Sequence, residues 1–227
     1  MKRIHPAFKR FIMQDVVKKW DDILKTQGVE KGIEGGVCFT TANTFCKVLE
    51  EDFDIPCNIE PVETTIGNEK AKELFDYYLE QGDLKAFWEH LEHVNKTVGK
   101  KNLSPKNPVT VGMGIGDKES QFHFIMNLPE QNEIVDLTLS HIKKPKWGIN
   151  CENYWSKYDR AGYKGGVFHT LHNDAWRRSG CVLTTMHKKT PIKIGINPER
   201  YARQENQIRD YMNREVRKRR IPIFLHR

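Results

Sequence analysis

Three residues that together could make a thiol nucleophile lie at separate points of the chain. Cys38 follows a glycine-rich stretch and opens a segment in which apolar residues recur at helical spacing. His123 and Asp136 lie in two short segments that alternate as strands do. A thiol attacks a carbonyl carbon only after losing its proton, which a helix start, an imidazole and a carboxylate that orients the imidazole all favour. We therefore predict that Cys38 is the nucleophile, His123 its base and Asp136 the group that orients His123.

The segments around these residues predict the elements that would position them. A helix is expected from about Cys38 to Glu51, with a buried apolar stripe, and Pro56 prevents its continuation. Four extended segments are expected, at Cys57–Ile66, Val109–Ile115, Phe122–Leu128 and Glu133–Leu139. Turn residues separate the last three, which favours an antiparallel meander and places His123 beside Asp136. Helices followed by such a meander predict an α+β fold.

Further helices are expected on either side of this region. Phe8–Lys25 is amphipathic, and Asn68–Val94 reads as a helix with a break at Gly82-Asp83. Asn197-Pro198-Glu199 is a helix start, and the helix is expected to reach about Arg219, packing by one narrow face with the rest in solvent. A length of 227 residues suits a single domain, 1–227. Its core is expected at about 8–140, and its C-terminal elaboration, about 141–227, ends in the basic helix.

The charge is concentrated at the C-terminus. The chain has 37 Lys and Arg against 30 Asp and Glu, for a net charge of +7. Nine of the bases and four of the acids lie from Glu199 onward, so most of the excess is in this last segment. The remainder is nearly neutral and does not mark the whole protein as a nucleic-acid-binding one. The basic helix predicts at most a weak affinity for polyanions.

Cysteine usage and hydropathy bear on the compartment. The five cysteines are odd in number and include no CxxC pair, which favours reduced thiols over a disulfide framework and makes Cys46 and Cys57 ordinary core residues. No apolar run reaches the roughly 18 residues of a membrane span, so no membrane association is expected. The basic N-terminus lacks the apolar core of a signal peptide. We therefore expect a cytoplasmic protein.

Two patterns resemble metal or cofactor sites but are incomplete. His90 and His93, like His169 and His172, are three residues apart, but neither pair has a clear third ligand or an HExxH pattern. The glycines of Gly112–Asp117 are followed by a strand, whereas a phosphate-binding loop leads into a helix. No metal and no cofactor are therefore expected.

The order and surroundings of the three candidate residues resemble a known superfamily. The residues that carry the resemblance are Gly36-Val37-Cys38, Ile55-Pro56, His123-Phe124-Ile125 and Val135-Asp136-Leu137-Thr138. They are similar to the papain-like and transglutaminase-like cysteine superfamily, and more so to its transglutaminase-like branch. The resemblance covers about Gly35 to Ser140. It implies a nucleophile-bearing helix packed on an antiparallel sheet, and a Cys-His-Asp triad made of Cys38, His123 and Asp136.

The resemblance also implies a reaction. The enzyme would act on an amide or peptide bond through a thioester, as a peptidase or amidase when water resolves the thioester and as a transferase when an amine does. The sequence leaves both outcomes open. Gln14 or Gln27 would suit the side-chain donor to the oxyanion that papain-like members have, and neither is assigned. The alternative is a non-enzymatic binding module on the same scaffold that uses the basic C-terminal helix for an anionic partner.

Overall fold

The computed structural model describes residues 2–27, 37–113, 123–141, 144–157, 161–164, 167–171 and 198–225. Its helices are α1 (Pro6–Phe11), α2 (Val17–Thr26), α3 (Val37–Phe53), α4 (Glu69–Glu80), α5 (Leu84–Val98) and α6 (Pro198–Arg219). A π-helical segment, Ile12–Val16, joins α1 to α2. The strands are β1 (Asn58–Gly67), β2 (Thr110–Met113), β3 (His123–Leu128), β4 (Glu133–Asp136), β5 (Tyr154–Lys157), β6 (Ala161–Lys164) and β7 (Val167–Leu171).

One antiparallel sheet contains all seven of these strands, and β1 is at its centre. The order is β5-β4-β3-β1-β7-β6, and β2 also pairs with β1. Residues 58–62 of β1 pair with β3, and residues 64–67 pair with β2, so β2 and β3 follow one another along the same side of β1. The mixed helix and antiparallel sheet confirm the α+β class. The predicted meander is wrong in part, because β1 rather than β3 is the partner of β2, whereas β3 and β4 are neighbours as expected.

The predicted helices are found close to their expected bounds. The N-terminal helix spans α1 to α2 and contains the π-helical segment, and the break between α4 and α5 falls at Gly82 and its neighbours. In α3 the expected stripe is buried, and Trp20 of α2 packs edge-on against Phe45 and donates from Nε1 to Thr41 Oγ1 at 2.9 Å. These contacts fix α3 against the N-terminal helix.

The end of α3 follows from its sequence. Asp54 adopts a left-handed conformation, with φ of 55°, and the Ile55 amide donates to the carbonyl of Leu49 at 3.0 Å. This caps the carbonyls that the last helical turn leaves unpaired. Pro56 follows and leads the chain into β1. The chain therefore turns back at once, and β1 begins beside the helix that carries Cys38.

The packed face of α6 is wider than the narrow apolar stripe predicted from the sequence. Three polar residues of α6 are buried together with its apolar stripe: Gln204, Glu205 and Glu215. They are tolerated because they are paired, as where Lys47 Nζ of α3 lies 2.9 Å from Glu205 Oε1. Beyond α6, Ile221, Ile223 and Phe224 pack against the main core. A hydrophobic periodicity captures the apolar stripe but not polar residues whose partners are distant in sequence.

The expectation of unpaired core cysteines at positions 46 and 57 is also wrong. Cys46 of α3 and Cys57, just before β1, form a disulfide with their Cα atoms 5.0 Å apart. The physical reason is the tight reversal at Asp54–Pro56, which returns the chain to the buried face of α3. Disulfides are rare in reducing compartments, so this bond is at odds with the cytoplasmic expectation. Among the described residues, none of the helices combines the length and the apolar character that crossing a membrane requires.

We expect the Cys46–Cys57 bond to stabilise the fold measurably. It closes a loop with a sequence separation of 11 residues, and the entropy of so short a loop corresponds to about 2–3 kcal/mol of unfolding free energy. The double variant Cys46→Ala, Cys57→Ala should unfold at correspondingly lower denaturant. Non-reducing peptide mapping of the unmodified protein should recover the linked peptides. Recovery of both as free thiols from oxidised protein would contradict the bond.

Candidate active site

The first turn of α3 carries Cys38. Cys38 is the second residue of the helix and is half-buried. Its neighbour Phe39 packs edge-on against Phe124 of β3, with ring centroids 5.1 Å apart. Because Phe124 follows His123 directly, this aromatic contact holds the start of the helix against the start of the strand. The glycine-rich stretch that precedes the helix, residues 28–36, lies outside the described residues.

Two neighbouring strands bring His123 and Asp136 together. His123 opens β3 and Asp136 ends β4, and the antiparallel register places their side chains on one face of the sheet. Nε2 of His123 lies 2.5 Å from Oδ2 of Asp136, and the two side chains are only 2% and 0% exposed. The other carboxylate oxygen accepts hydrogen bonds from the amide and hydroxyl of Thr138, at 3.0 and 3.1 Å. Every oxygen of this buried carboxylate is thus paired.

The thiol of Cys38 is hydrogen-bonded to the imidazole of His123. Since Nε2 faces Asp136, the ring nitrogen left for the thiol is Nδ1. The three residues singled out in the sequence therefore lie close together, although Cys38 and His123 are far apart along the chain. Such a chain of thiol, imidazole and carboxylate can pass a proton from sulfur to nitrogen while the carboxylate fixes the ring.

The electrostatics of the site favour a charged imidazole. Burial by itself lowers the pKa of His123, but the negative charge of Asp136 and its hydrogen bond act in the opposite sense, and Cys38 adds to them. The net effect raises the pKa of His123 to about 10. The imidazolium is therefore the form that this environment stabilises at neutral pH.

Two neighbours of Asp136 were not assigned to the site from the sequence. Tyr154 of β5 lies opposite Asp136 in the sheet, and burial, followed by the charge of Asp136, raises the pKa of Tyr154 well above its usual value. The phenol therefore stays neutral. Thr138 is the second neighbour. Its contact with Asp136 could have been predicted from the sequence, because a residue two positions after an aspartate often donates a hydrogen bond to the carboxylate.

The other residues that the sequence analysis considered for a donor or metal site do not form a group with the triad. Gln14 is exposed in the π-helical segment, whereas Gln27 follows the end of α2 and its carbonyl accepts a hydrogen bond from Arg200 Nη2 at 2.9 Å. His90 contacts the hydroxyl of Tyr78 at 3.2 Å. Within the described residues, no group of three or more metal-ligating side chains is found.

Comparisons with known proteins add little to this geometry. No protein-family model matches the chain, and neither does any curated protein. One solved structure, known only as a genomics target, is similar at 6% sequence identity with a TM-score of 0.47. The match covers 87% of this chain and 76% of the other. A likeness this distant carries no argument about the fold or the site.

We expect His123 to titrate far above an ordinary histidine, and Asp136→Asn to reverse the shift. The variant removes the charge that raises the pKa and leaves the burial that lowers it. Imidazole resonances followed by NMR should show His123 charged up to about pH 10 in the unmodified protein. In the variant they should show a neutral ring near pH 7.

The raised pKa of His123 also makes the free energy of unfolding depend on pH. A pKa raised on folding contributes stability that is fully present below the unfolded value of about 6.5 and is lost as the pH rises through about 10. The difference in unfolding free energy between the unmodified protein and Asp136→Asn should therefore shrink between these two pH values. A gap that widened with pH over this range would contradict the buried charged pair.

Proposed function

We propose that the protein is a cysteine-nucleophile acyl-transfer enzyme that acts on an amide or peptide bond through a thioester, on a papain-like or transglutaminase-like core. The observation that carries the proposal is the hydrogen-bonded chain from the thiol of Cys38 through the buried imidazole of His123 to the carboxylate of Asp136. The position of Cys38 in the first turn of α3 supports it further, because free backbone N–H groups at a helix start favour a thiolate.

The first half of the reaction forms the thioester. In the starting state the proton of the Cys38 thiol resides on His123, and the thiolate attacks the acyl carbon of the substrate. A carbon–sulfur bond forms, and the negative charge that develops on the carbonyl oxygen is stabilised by N–H donors at the start of α3. The carbon–nitrogen bond then breaks, and His123 returns its proton to the leaving amine. Asp136 keeps the ring oriented throughout.

The second half releases the acyl group. Water or an amine attacks the thioester carbon, His123 accepts the proton of the attacking group, and the carbon–sulfur bond breaks. The sulfur leaves as a thiolate paired with the imidazolium, which restores the starting state. Attack by water gives a peptidase or amidase, and attack by an amine gives a transferase. Both use the same three side chains and need no cofactor.

We expect Cys38 to be alkylated by limiting iodoacetamide before the other free thiols. An ordinary cysteine is only a few per cent thiolate at pH 7, so pairing with an imidazolium should speed the reaction roughly tenfold. His123→Ala should remove this advantage, and Asp136→Asn should reduce it less, because the imidazole remains. Peptide mapping by mass spectrometry gives the rates. Buried Cys151, whose thiol donates to the carbonyl of Leu139, is the internal control.

A companion variant separates activation from folding. His123→Ala leaves the Asp136 carboxylate buried without its partner, a loss of about 3–5 kcal/mol in comparable pairs. The amide of His123→Gln can still donate to the carboxylate but cannot accept the thiol proton efficiently. A folded His123→Gln protein in which Cys38 reacts as fast as before would overturn the proposal. In the unmodified protein, Cys151 reacting first would do the same.

The alternative is a binding module that uses the basic C-terminal helix. Three bases near the end of α6 favour it because they are exposed: Arg217, Lys218 and Arg220. Other basic residues of α6 form ion pairs within the protein, as Arg219 does with Asp15 at 2.7 Å. Little of the positive charge is therefore left to bind a partner. Retention on immobilised heparin that survives roughly 0.3 M salt, together with no selective thiol, would favour this alternative over the enzyme.

A cytoplasmic location remains part of the proposal and can be tested directly. Protein alkylated in intact cells before lysis reports the redox state of Cys46 and Cys57 in their own compartment. Free thiols at both positions would support a reducing compartment, and a bond between them would place the working enzyme in an oxidising one.

A further inference from the structure

A second pair of a histidine and an aspartate follows the candidate triad in the chain. Nε2 of His141 lies 2.8 Å from Oδ1 of Asp21 in α2, and the two side chains are 4% and 20% exposed. His141 ends a 3₁₀ turn, Leu139–His141, that begins directly after Thr138. We call His141 and Asp21 the second pair. It joins α2 to the segment that follows the carboxylate of the candidate site, across 120 residues of sequence.

The His141 side of the second pair leads to Asp136. The amide of His141 donates to the carbonyl of Thr138 at 3.0 Å. Thr138 in turn donates from its own amide and hydroxyl to Oδ1 of Asp136, at 3.0 and 3.1 Å. One residue, Thr138, therefore links the imidazole of the second pair to the carboxylate of the candidate triad.

The Asp21 side of the second pair leads to the helix of Cys38. Trp20 directly precedes Asp21, and its Nε1 donates to Oγ1 of Thr41 at 2.9 Å. Thr41 is three residues after Cys38, and Phe45, against which the Trp20 ring packs edge-on, is seven residues after it. Residues three and seven apart lie on one side of a helix. Helix α2 therefore contacts α3 on the side that carries Cys38.

These contacts close a ring around the candidate site. The thiol of Cys38 is joined to the carboxylate of Asp136 once through His123, and a second time through α2 and the second pair. Each step of the ring is a hydrogen bond or a few residues of backbone. The second connection holds the start of α3 from the side of α2, whereas the contact of Phe39 with β3 holds it from the side of the sheet.

The 3₁₀ turn of His141 is also fixed from another direction. The amide of Ser140 donates to Asn153 Oδ1 at 2.8 Å, and the thiol of Cys151 donates to the carbonyl of Leu139 at 3.0 Å. Loss of the second pair would therefore leave this turn, and with it Asp136, in place. The part that gains freedom is α2, together with the first turns of α3 that it contacts.

We propose that His141 and Asp21 are positioning residues, which hold the thiol of Cys38 at hydrogen-bonding distance from His123 by bracing α2 against the segment that follows Asp136. The inference rests on the proposed acyl-transfer function and adds two residues to its machinery. Both act through other residues and not on the substrate. A site of this kind depends on distances kept to within about 0.5 Å, so a small displacement of the helix start reduces the activation of the thiol.

Two amide variants with the same chemistry and different reach test His141. The side-chain nitrogen of glutamine reaches as far as Nε2 of histidine, whereas that of asparagine reaches only as far as Nδ1. His141→Gln should therefore keep the contact with Asp21 and the rate at which limiting iodoacetamide alkylates Cys38. His141→Asn should lower that rate roughly two- to fivefold. Peptide mapping gives the rates, in protein that a denaturation curve shows to be folded.

A matched pair of variants in α2 tests the other partner. Asp21→Ala should lower the alkylation rate of Cys38 about as much as His141→Asn does, because either change breaks the same contact. Asp22→Ala removes the same charge at the next, exposed position and should leave the rate unchanged. Equal rates for the Asp21→Ala, Asp22→Ala and unmodified proteins would overturn the inference.

The titration of His123 separates positioning from a loss of stability. Burial lowers the pKa of His123, Asp136 raises it, and the hydrogen bond with Cys38 raises it further, to about 10. In folded His141→Asn protein, NMR should show the pKa of His123 below this value but above its ordinary value, because Asp136 stays in place. Cys38→Ala gives the full size of the decrease. An unchanged pKa in folded His141→Asn protein would reject the positioning role, however much the stability fell.

The far side of the ring gives a variant that does not touch the second pair. Thr41→Val removes the oxygen to which Trp20 donates and should also slow the alkylation of Cys38. If both contacts act through one ring, the double variant His141→Asn, Thr41→Val should be no slower than the slower of the two single variants. A double variant whose rate falls by the product of the two single factors would show two independent effects and contradict the ring.

These outcomes are separate from those of the proposed function. The pKa of His123 reports the contact between thiol and imidazole in the folded protein and needs no turnover. An activated Cys38 whose rate and whose contact with His123 do not respond to His141→Asn rejects only the positioning role. An unactivated Cys38 in the unmodified protein rejects the enzyme, and the pKa of His123 then still tests the ring.

Discussion

A charged imidazole and a carboxylate meet inside this protein with almost no exposure to water, and such a pair is tolerated only in a narrow geometry. Taking both charges out of water costs several kcal/mol for each, which their attraction offsets only when the remaining hydrogen-bonding positions are also filled. Thr138 fills them for Asp136 with its amide and its hydroxyl. The pair also fixes the register of β3 against β4, because a slip of one residue would move one partner to the other face of the sheet.

The thiol reaches this pair from a different element, and several independent contacts hold that element in place. Phe39 fixes the first turn of α3 against β3, and the bond from Cys46 to Cys57 ties its middle to the start of β1. Farther along, Arg209 of α6 pairs with Glu51 and Asp52. Restraint at three levels of one helix leaves it little freedom to slide or rotate. The sulfur of Cys38 is therefore held in a defined position relative to the imidazole of His123.

The candidate triad could be predicted from the sequence because its geometry is local to two short units. Helical spacing and Pro56 bound the helix of Cys38, and the turn residues between His123 and Asp136 make their strands antiparallel neighbours. The pairing of β2 with β1 could not be predicted in this way, since alternation identifies a strand but not its partner. The Cys46–Cys57 bond could not be predicted from the sequence for a similar reason. Its formation depends on a chain reversal whose tightness is set by one left-handed residue, Asp54.

The C-terminal segment shows how a pattern of charge can mislead when its partners are far away in sequence. A run of bases in one helix resembles a surface for polyanions, yet Arg209 and Arg219 are matched by acids from α3 and the N-terminal helix. These pairs align α6 with α3 turn by turn. The alignment in turn brings the first bases of α6, Arg200 and Arg203, to the end of the fold where Cys38 lies. The positive charge of this segment thus braces α6 along the helix that carries Cys38.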